Sequence, residues 1–167
     1  MYIIVMGVAG SGKSTVGKLL AERLGWPFYD GDDFHPPENI EKIRRGEALN
    51  DSDREPWLKA IKELMENHDG PAVIGCSALK KSYRDYLRGN MQKVRFVYLQ
   101  GTRQILEMRL SKRKDHFAGA DILESQLETL EEPDSALVED IERNPVLIAE
   151  DIILKLFNDS RSFKDFA

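Results

Sequence analysis

The chain has 167 residues, 41% hydrophobic and 32% charged, with a formal net charge of −5. That length suits one domain with a real core. The negative balance argues against nucleic-acid or membrane-surface binding driven by bulk charge, while leaving room for a local site for a small anion.

The apolar run in "MYIIVMGVAGSGKS" is too short to span a membrane, and no basic segment precedes it. Neither a signal peptide nor a transmembrane helix is expected. "YIIVMG" (2–7) reads as a buried strand ending in glycine. "KSTVGKLLAERLG" (13–25) carries Val16, Leu19, Leu20 and Leu24 at helical spacing and closes at Gly25. "PFYD" (27–30) is a second strand, expected beside the first. "NIEKIRRG" (39–46) and "REPWLKAIKELMENH" (54–68) read as helices, with Pro56 in the first turn of the latter.

Further on, "PAVIGC" (71–76) is a third strand and "KKSYRDYLRG" (80–89) a helix. "VRFVYLQG" (94–101) is a fourth strand, followed by helices at "RQILEMRLSKR" (103–113) and "DILESQLETL" (121–130). "ALVEDI" (136–141) reads as a fifth strand and "PVLIAEDIILKLFNDS" (145–160) as the closing helix. Strands alternating with helices indicate an α/β fold with a parallel sheet. The one cysteine, Cys76, excludes an internal disulfide, fits a reducing, cytoplasmic setting, and reads as a buried strand-end residue.

"GVAGSGKS", Gly7 to Ser14, is a Walker A loop set between a strand and a helix. Gly7, Gly10 and Gly12 let the chain turn so that backbone N–H groups, with Ser11 and Thr15 in the same stretch, face phosphate oxygens. The helix opening at Lys13 adds its positive end. The Lys13 ammonium reaches the β- and γ-phosphates of ATP, and the Ser14 hydroxyl ligates Mg²⁺. No N-K-x-D guanine motif is present, and the strands "PAVIGC" and "VRFVYL" carry no Walker B acid. Small kinases acting on a metabolite are what remains.

"FYDGDDFHPPENI" (28–40) places acids directly after the second strand. Asp30 and Asp32 form D-x-D at the mouth of the crevice. One carboxylate serves Mg²⁺, through water, and the other accepts the proton of an attacking hydroxyl. Asp30 is assigned to the metal and Asp32 to the base. The plainer alternative is a solvated turn or helix cap. His35 is a candidate substrate contact or a capping residue, and Asp33 reads as a turn residue.

"DGDDFHP", "NIEKIRRGEALNDSDREPWL", "CSALKKSYRDYLR", "FVYLQG" and "HF…SQLETLEEP" follow one another in an order and spacing that resembles the gluconokinases, from Tyr2 to about Phe157. The resemblance implies ATP-dependent phosphorylation of D-gluconate on its 6-hydroxyl, giving 6-phosphogluconate and ADP. It implies a three-layer α/β/α P-loop NTPase fold, a five-stranded parallel sheet in the order 2-3-1-4-5, a mobile helical lid and a homodimer. The chain is then a single kinase domain over 1–167, with a substrate-binding segment at about 35–68 and the lid at about 111–133. Leu127 stands where the family often has phenylalanine, and "HFAGADILESQ" lacks the methionine- or proline-containing stretch common after "HF".

A carboxylate-bearing polyol requires cationic and hydrogen-bonding partners. Arg54, Lys80 and Arg84 are the candidates, Arg84 reading equally well as a surface ion-pair residue until the resemblance is added. Arg109 and Arg113 lie four apart, on one helical face. Similarity to related P-loop kinases implies that Arg109 stacks on adenine and that Arg113 meets the phosphates and stabilises the transferring charge; a solvated basic face is the alternative. His116 and Gln126 match the lid motif and are carried over as substrate contacts. A kinase for another small acid or a nucleotide is a second reading, and a nucleotide-binding regulator without catalysis a third. The presence of Lys13, Ser14, Asp30, Asp32, Arg109 and Arg113 weighs against the last.

Overall fold

The apolar run Tyr2–Met6 forms strand β1, and each of its residues is buried, as a strand covered on both faces requires. The structure, a computed structural model, describes residues 1–112 and 116–157, with the backbone alone for 116–120. After β1 come α1 (Lys13–Leu24), β2 (Phe28–Asp30), a 3-10 turn (Gly31–Phe34), α2 (Pro37–Arg44) and α3 (Asp51–Asn67). Then follow β3 (Ala72–Gly75), α4 (Lys81–Arg88), β4 (Val94–Gln100), α5 (Arg103–Ser111), α6 (His116–Thr129), β5 (Leu137–Asp140) and α7 (Pro145–Phe157).

The five strands pair in parallel in the order β2-β3-β1-β4-β5. Alternate side chains along each strand feed two cores. Ile3, Val5, Val73 and Val97 pack with Leu20 of α1 and Ile148 and Ile152 of α7. Ile4, Met6, Ile74 and Phe96 pack on the other face with Trp57 and Ile61 of α3 and Leu87 of α4. These are the three layers expected of an α/β/α fold. Among the described residues, no helix is long and apolar enough to cross a membrane.

Four expectations are corrected. β2 does not lie beside β1: β3 runs between them, with Gly75 in register with Val5 on one side and Asp30 on the other. The connection through α1 therefore skips one strand position, which an adjacency rule based on chain order misses. Helix α3 begins at Asp51 rather than Arg54, because "NDSD" is a capping box: Asn50 Oδ1 accepts the Asp53 N–H and Asp53 Oδ2 accepts the Asn50 N–H, both at 2.9 Å. Pro56 consequently sits inside the helix and not in its first turn. The carbonyl it leaves without a helical donor belongs to Ser52, which is exposed. Finally, α6 opens at His116, earlier than the expected 121. The acids after β2 form a 3-10 turn capped by Asp30, the turn-or-cap alternative raised from the sequence. Positions 158–160, expected to finish the last helix, lie outside the described residues.

Gly31, directly after β2, has no room for a side chain, since a Cβ there would run into the Gly75 carbonyl oxygen. Gly31→Ala is expected to cost about 1–3 kcal/mol of stability through forced backbone displacement. Urea denaturation checks this; an unchanged midpoint would mean that the β2–β3 junction yields freely.

Candidate active site

A cavity of about 820 Å³ opens where the phosphate loop, the α2–α3 segment and α6 converge. Its floor is the loop after β1. Gly7 has φ 147° and Gly12 φ 95°, conformations that side-chain-bearing residues rarely adopt. A Cβ on Gly7 would also approach the Leu99 carbonyl oxygen to 2.9 Å. Gly10, Gly12, Lys13, Ser14 and Thr15 all line the cavity, with the N-terminus of α1 behind them. Lys13 Nζ donates to the Val8 carbonyl at 3.2 Å, so the ammonium bends back over the loop. Ser11 is buried beneath it.

The Ser14 hydroxyl donates to Asp30 Oδ2 at 2.6 Å, while Asp30 Oδ1 accepts the Asp32 N–H at 3.2 Å. Asp30 is thus held by its neighbours, and Asp32 is exposed on the cavity wall. Among the described residues no cluster of three or more His, Cys, Asp or Glu suits a metal ion. A hydroxyl and a carboxylate oxygen side by side fit Mg²⁺, which takes few protein ligands and fills its shell from phosphate and water.

Opposite the loop stand His35, Arg54 and Trp57. Trp57 is 1% exposed, and its Nε1 donates to the Gly31 carbonyl at 2.7 Å. His35 stacks on that indole, with ring centroids 4.6 Å apart and planes 11° from parallel. Burial pulls the His35 imidazole below its ordinary pKa; the charge of Asp32 opposes this and that of Arg54 adds to it. Arg54 is buried, with its guanidinium over the Tyr83 ring at 5.9 Å. On the third side Gln126 of α6 lines the cavity, and its Oε1 accepts the Ala9 N–H of the phosphate loop at 2.6 Å.

The structure does not bring every predicted residue to this wall. Lys80 pairs with Asp51 at 2.7 Å, and the Tyr83 hydroxyl donates to the same carboxylate. Arg84 is buried, and its Nη1 donates to the Ala78 and Leu79 carbonyls, both at 2.9 Å. It braces a turn in which Ala78 adopts φ 43°. Arg109 spans from the Ser11 carbonyl, at 3.4 Å, to the Ile141 carbonyl, tying the phosphate loop to the end of β5. Arg113 lies outside the described residues, and His116 is described only as the first residue of α6.

Several wall residues escaped sequence reasoning. Arg44 and Leu49 come from α2 and its following loop, and Ile122 from α6; Ser77, expected at the carboxyl edge of the sheet after the third strand, does line the cavity. Asn39, only 3% exposed, stands behind His35. Its signal was the buried-face position in the helix opened by "PPEN", which polarity concealed. Burial pushes the Cys76 thiol up to about 12, so this residue, beneath the site, is no nucleophile at neutral pH.

A phosphate loop on the central strand, an acid pair beside it and a cavity that also takes in His35 and Arg54 define a class: kinases that move the terminal phosphoryl group of a nucleotide onto a small acceptor. The shikimate kinase family model matches residues 9–155. The gluconokinase of Gluconobacter oxydans is 43% identical over 91% of this chain and 89% of its own length. The thermoresistant gluconokinase of Escherichia coli is 47% identical over 78% of this chain and 76% of its own. A crystal structure of a gluconokinase from Sinorhizobium meliloti superposes with a TM-score of 0.86 at 43% identity, covering 94% of this chain and 91% of that one. At these identities and coverages the chain belongs to the gluconokinase family.

Removing Arg84 should act on folding first. Arg84→Ala leaves two buried carbonyls without their donor and is expected to lower the unfolding free energy by about 1–3 kcal/mol, read by urea denaturation. A variant with wild-type stability and a raised KM for the phosphoryl acceptor would instead make Arg84 a ligand contact.

Proposed function

We propose that this chain transfers the γ-phosphoryl group of ATP to the 6-hydroxyl of D-gluconate, giving 6-phospho-D-gluconate and ADP. The observation that carries the reading is the single cavity shared by the Walker A residues, Asp32, His35 and Arg54, in a chain of this family. Asp32, His35 and Arg54 on its wall offer the charged and hydrogen-bonding partners that a polyhydroxy acid requires.

In this mechanism Asp32 takes the proton of the attacking hydroxyl as its oxygen bonds to the γ-phosphorus. The bond from that phosphorus to the bridging oxygen breaks, and ADP leaves. Lys13 and the backbone N–H groups of the phosphate loop stabilise the charge that develops on the transferring group. Arg54 and His35 hold the acceptor, aided by Gln126 from α6. The 35–68 segment is the acceptor-binding region and 111–133 the lid. Ser14 and Asp30 would hold Mg²⁺, which when bound neutralises phosphate charge. On the family resemblance, Arg109 and Arg113 remain assigned to the nucleotide, and His116, from the lid, and Lys80 to the acceptor. That resemblance also underlies the homodimer. A cytoplasmic setting is supported by the single cysteine.

ADP release should be measured with Mg-ATP across D-gluconate, related sugar acids, shikimate and nucleoside monophosphates. Strong turnover with D-gluconate alone is expected, and preference for another acceptor would replace the substrate assignment. Two variants test the roles. Lys13→Ala should lose at least about a hundredfold in kcat, the scale of one lost transition-state contact. Asp32→Asn should lower kcat with Mg-ATP affinity kept; lost affinity would exchange its role with that of Asp30.

A further inference from the structure

His35 is held on a face and on an edge. The face lies on Trp57, and the edge bearing Nδ1 meets Asn39 Nδ2 at 3.3 Å. The identity of that Asn39 atom follows from its other contact. Asn39 Nδ2 lies 2.7 Å from the Asp53 carbonyl oxygen, which can only accept, so the amide must present its NH₂ group there. The second hydrogen of the same NH₂ is then directed to His35. A ring nitrogen facing an N–H donor has to be the acceptor, so Nδ1 carries no proton, and in the neutral ring the proton sits on Nε2, on the opposite edge.

We propose that Asn39 is a positioning residue that locks His35 in the Nε2–H tautomer, so that the imidazole offers a donor to a hydroxyl oxygen of the sugar acid beside Asp32. A bound hydroxyl has one proton to give and lone pairs to fill. Asp32, ionised, can only accept. With the other tautomer His35 would also present an acceptor, and two acceptors would compete for one hydroxyl proton. With Nε2–H the pair is complementary: Asp32 accepts from a hydroxyl and His35 donates to one. Protonation of His35 would put an Nδ1–H against the Asn39 N–H, so the lock also disfavours the imidazolium. Asp32, from the 3-10 turn, pulls the other way, and Arg54, from α3, assists the lock.

The contact to the acceptor rests on the gluconate reading; the tautomer does not. The test uses the full chain labelled with ¹⁵N, its three histidines resolved by long-range proton–nitrogen correlation and His35 assigned by its loss in His35→Gln. Wild type without substrate is expected to show His35 neutral and protonated on Nε2 at neutral pH. An Nδ1–H ring there overturns the inference, with no variant needed. Asn39→Asp replaces the donor by an acceptor and should move the proton to Nδ1 and raise the His35 pKa. It should raise KM for gluconate about three- to tenfold, one neutral hydrogen bond, with KM for ATP unchanged. A switched tautomer with an unmoved gluconate KM removes the acceptor contact. The expected tautomer together with turnover of a different sugar acid upholds the lock and overturns only the gluconate reading.

Discussion

The hydrogen bond between Ser14 and Asp30 is the contact on which the site depends, because it joins two strands that are not neighbours. Ser14 opens the helix after β1, Asp30 ends β2, and β3 lies between them. The strand between is crossed at Gly75, which pairs with Val5 and Asp30 at once. A Cβ on Gly75 would stand 3.3 Å from the Phe28 ring and 3.9 Å from Lys13 Cβ. A larger residue would wedge the phosphate loop away from the acids. The same ends of the parallel strands thus deliver a hydroxyl and a carboxylate side by side, the hard oxygen ligands that the proposed Mg²⁺–nucleotide would need.

The wall opposite the loop is built by α2 and α3, and its rigidity comes from polar contacts that are satisfied internally. The Asn50–Asp53 capping box fixes where α3 starts. Asp53 also takes Lys42 of α2 as an ion-pair partner at 2.7 Å, and its carbonyl takes Asn39. Trp57 donates to Gly31 and supports His35. On the far side Asp51 gathers Lys80 and Tyr83, joining α3 to α4. Residues that sequence logic gathers around an anion therefore divide into two groups. Arg54 and His35 line the cavity, while Lys80 is paired with Asp51 and Arg84 with two carbonyls of the turn after β3. Helix α6 completes the enclosure by placing Gln126 on the phosphate loop.

Local chemistry carried a large part of this into the amino-acid sequence. The Walker A glycines, the apolar run of β1, the Gly25 helix end and the alternation of strands with helices each follow from short-range rules of φ, periodicity and capping, and each is found in the structure. The D-x-D pair was legible as two carboxylates at a strand end beside a phosphate loop, and the structure finds Asp30 both capping the 3-10 turn and bonded to Ser14. Family resemblance supplied the strand order and the acceptor class, which no local rule contains.

What only tertiary structure decided is which polar groups face which others. Periodicity cannot tell that β3 inserts between β1 and β2, since strand order is a property of the crossovers. It cannot tell that Arg84 turns inward to two carbonyls while Arg54, of the same chemistry, turns to the cavity. Nor can it show that buried Asn39 spends one hydrogen on Asp53 and directs the other at His35. Sequence determines the kinds of groups available and their local backbone. The direction of a hydrogen bond depends on partners distant along the chain, and these meet only once both faces of the sheet are packed.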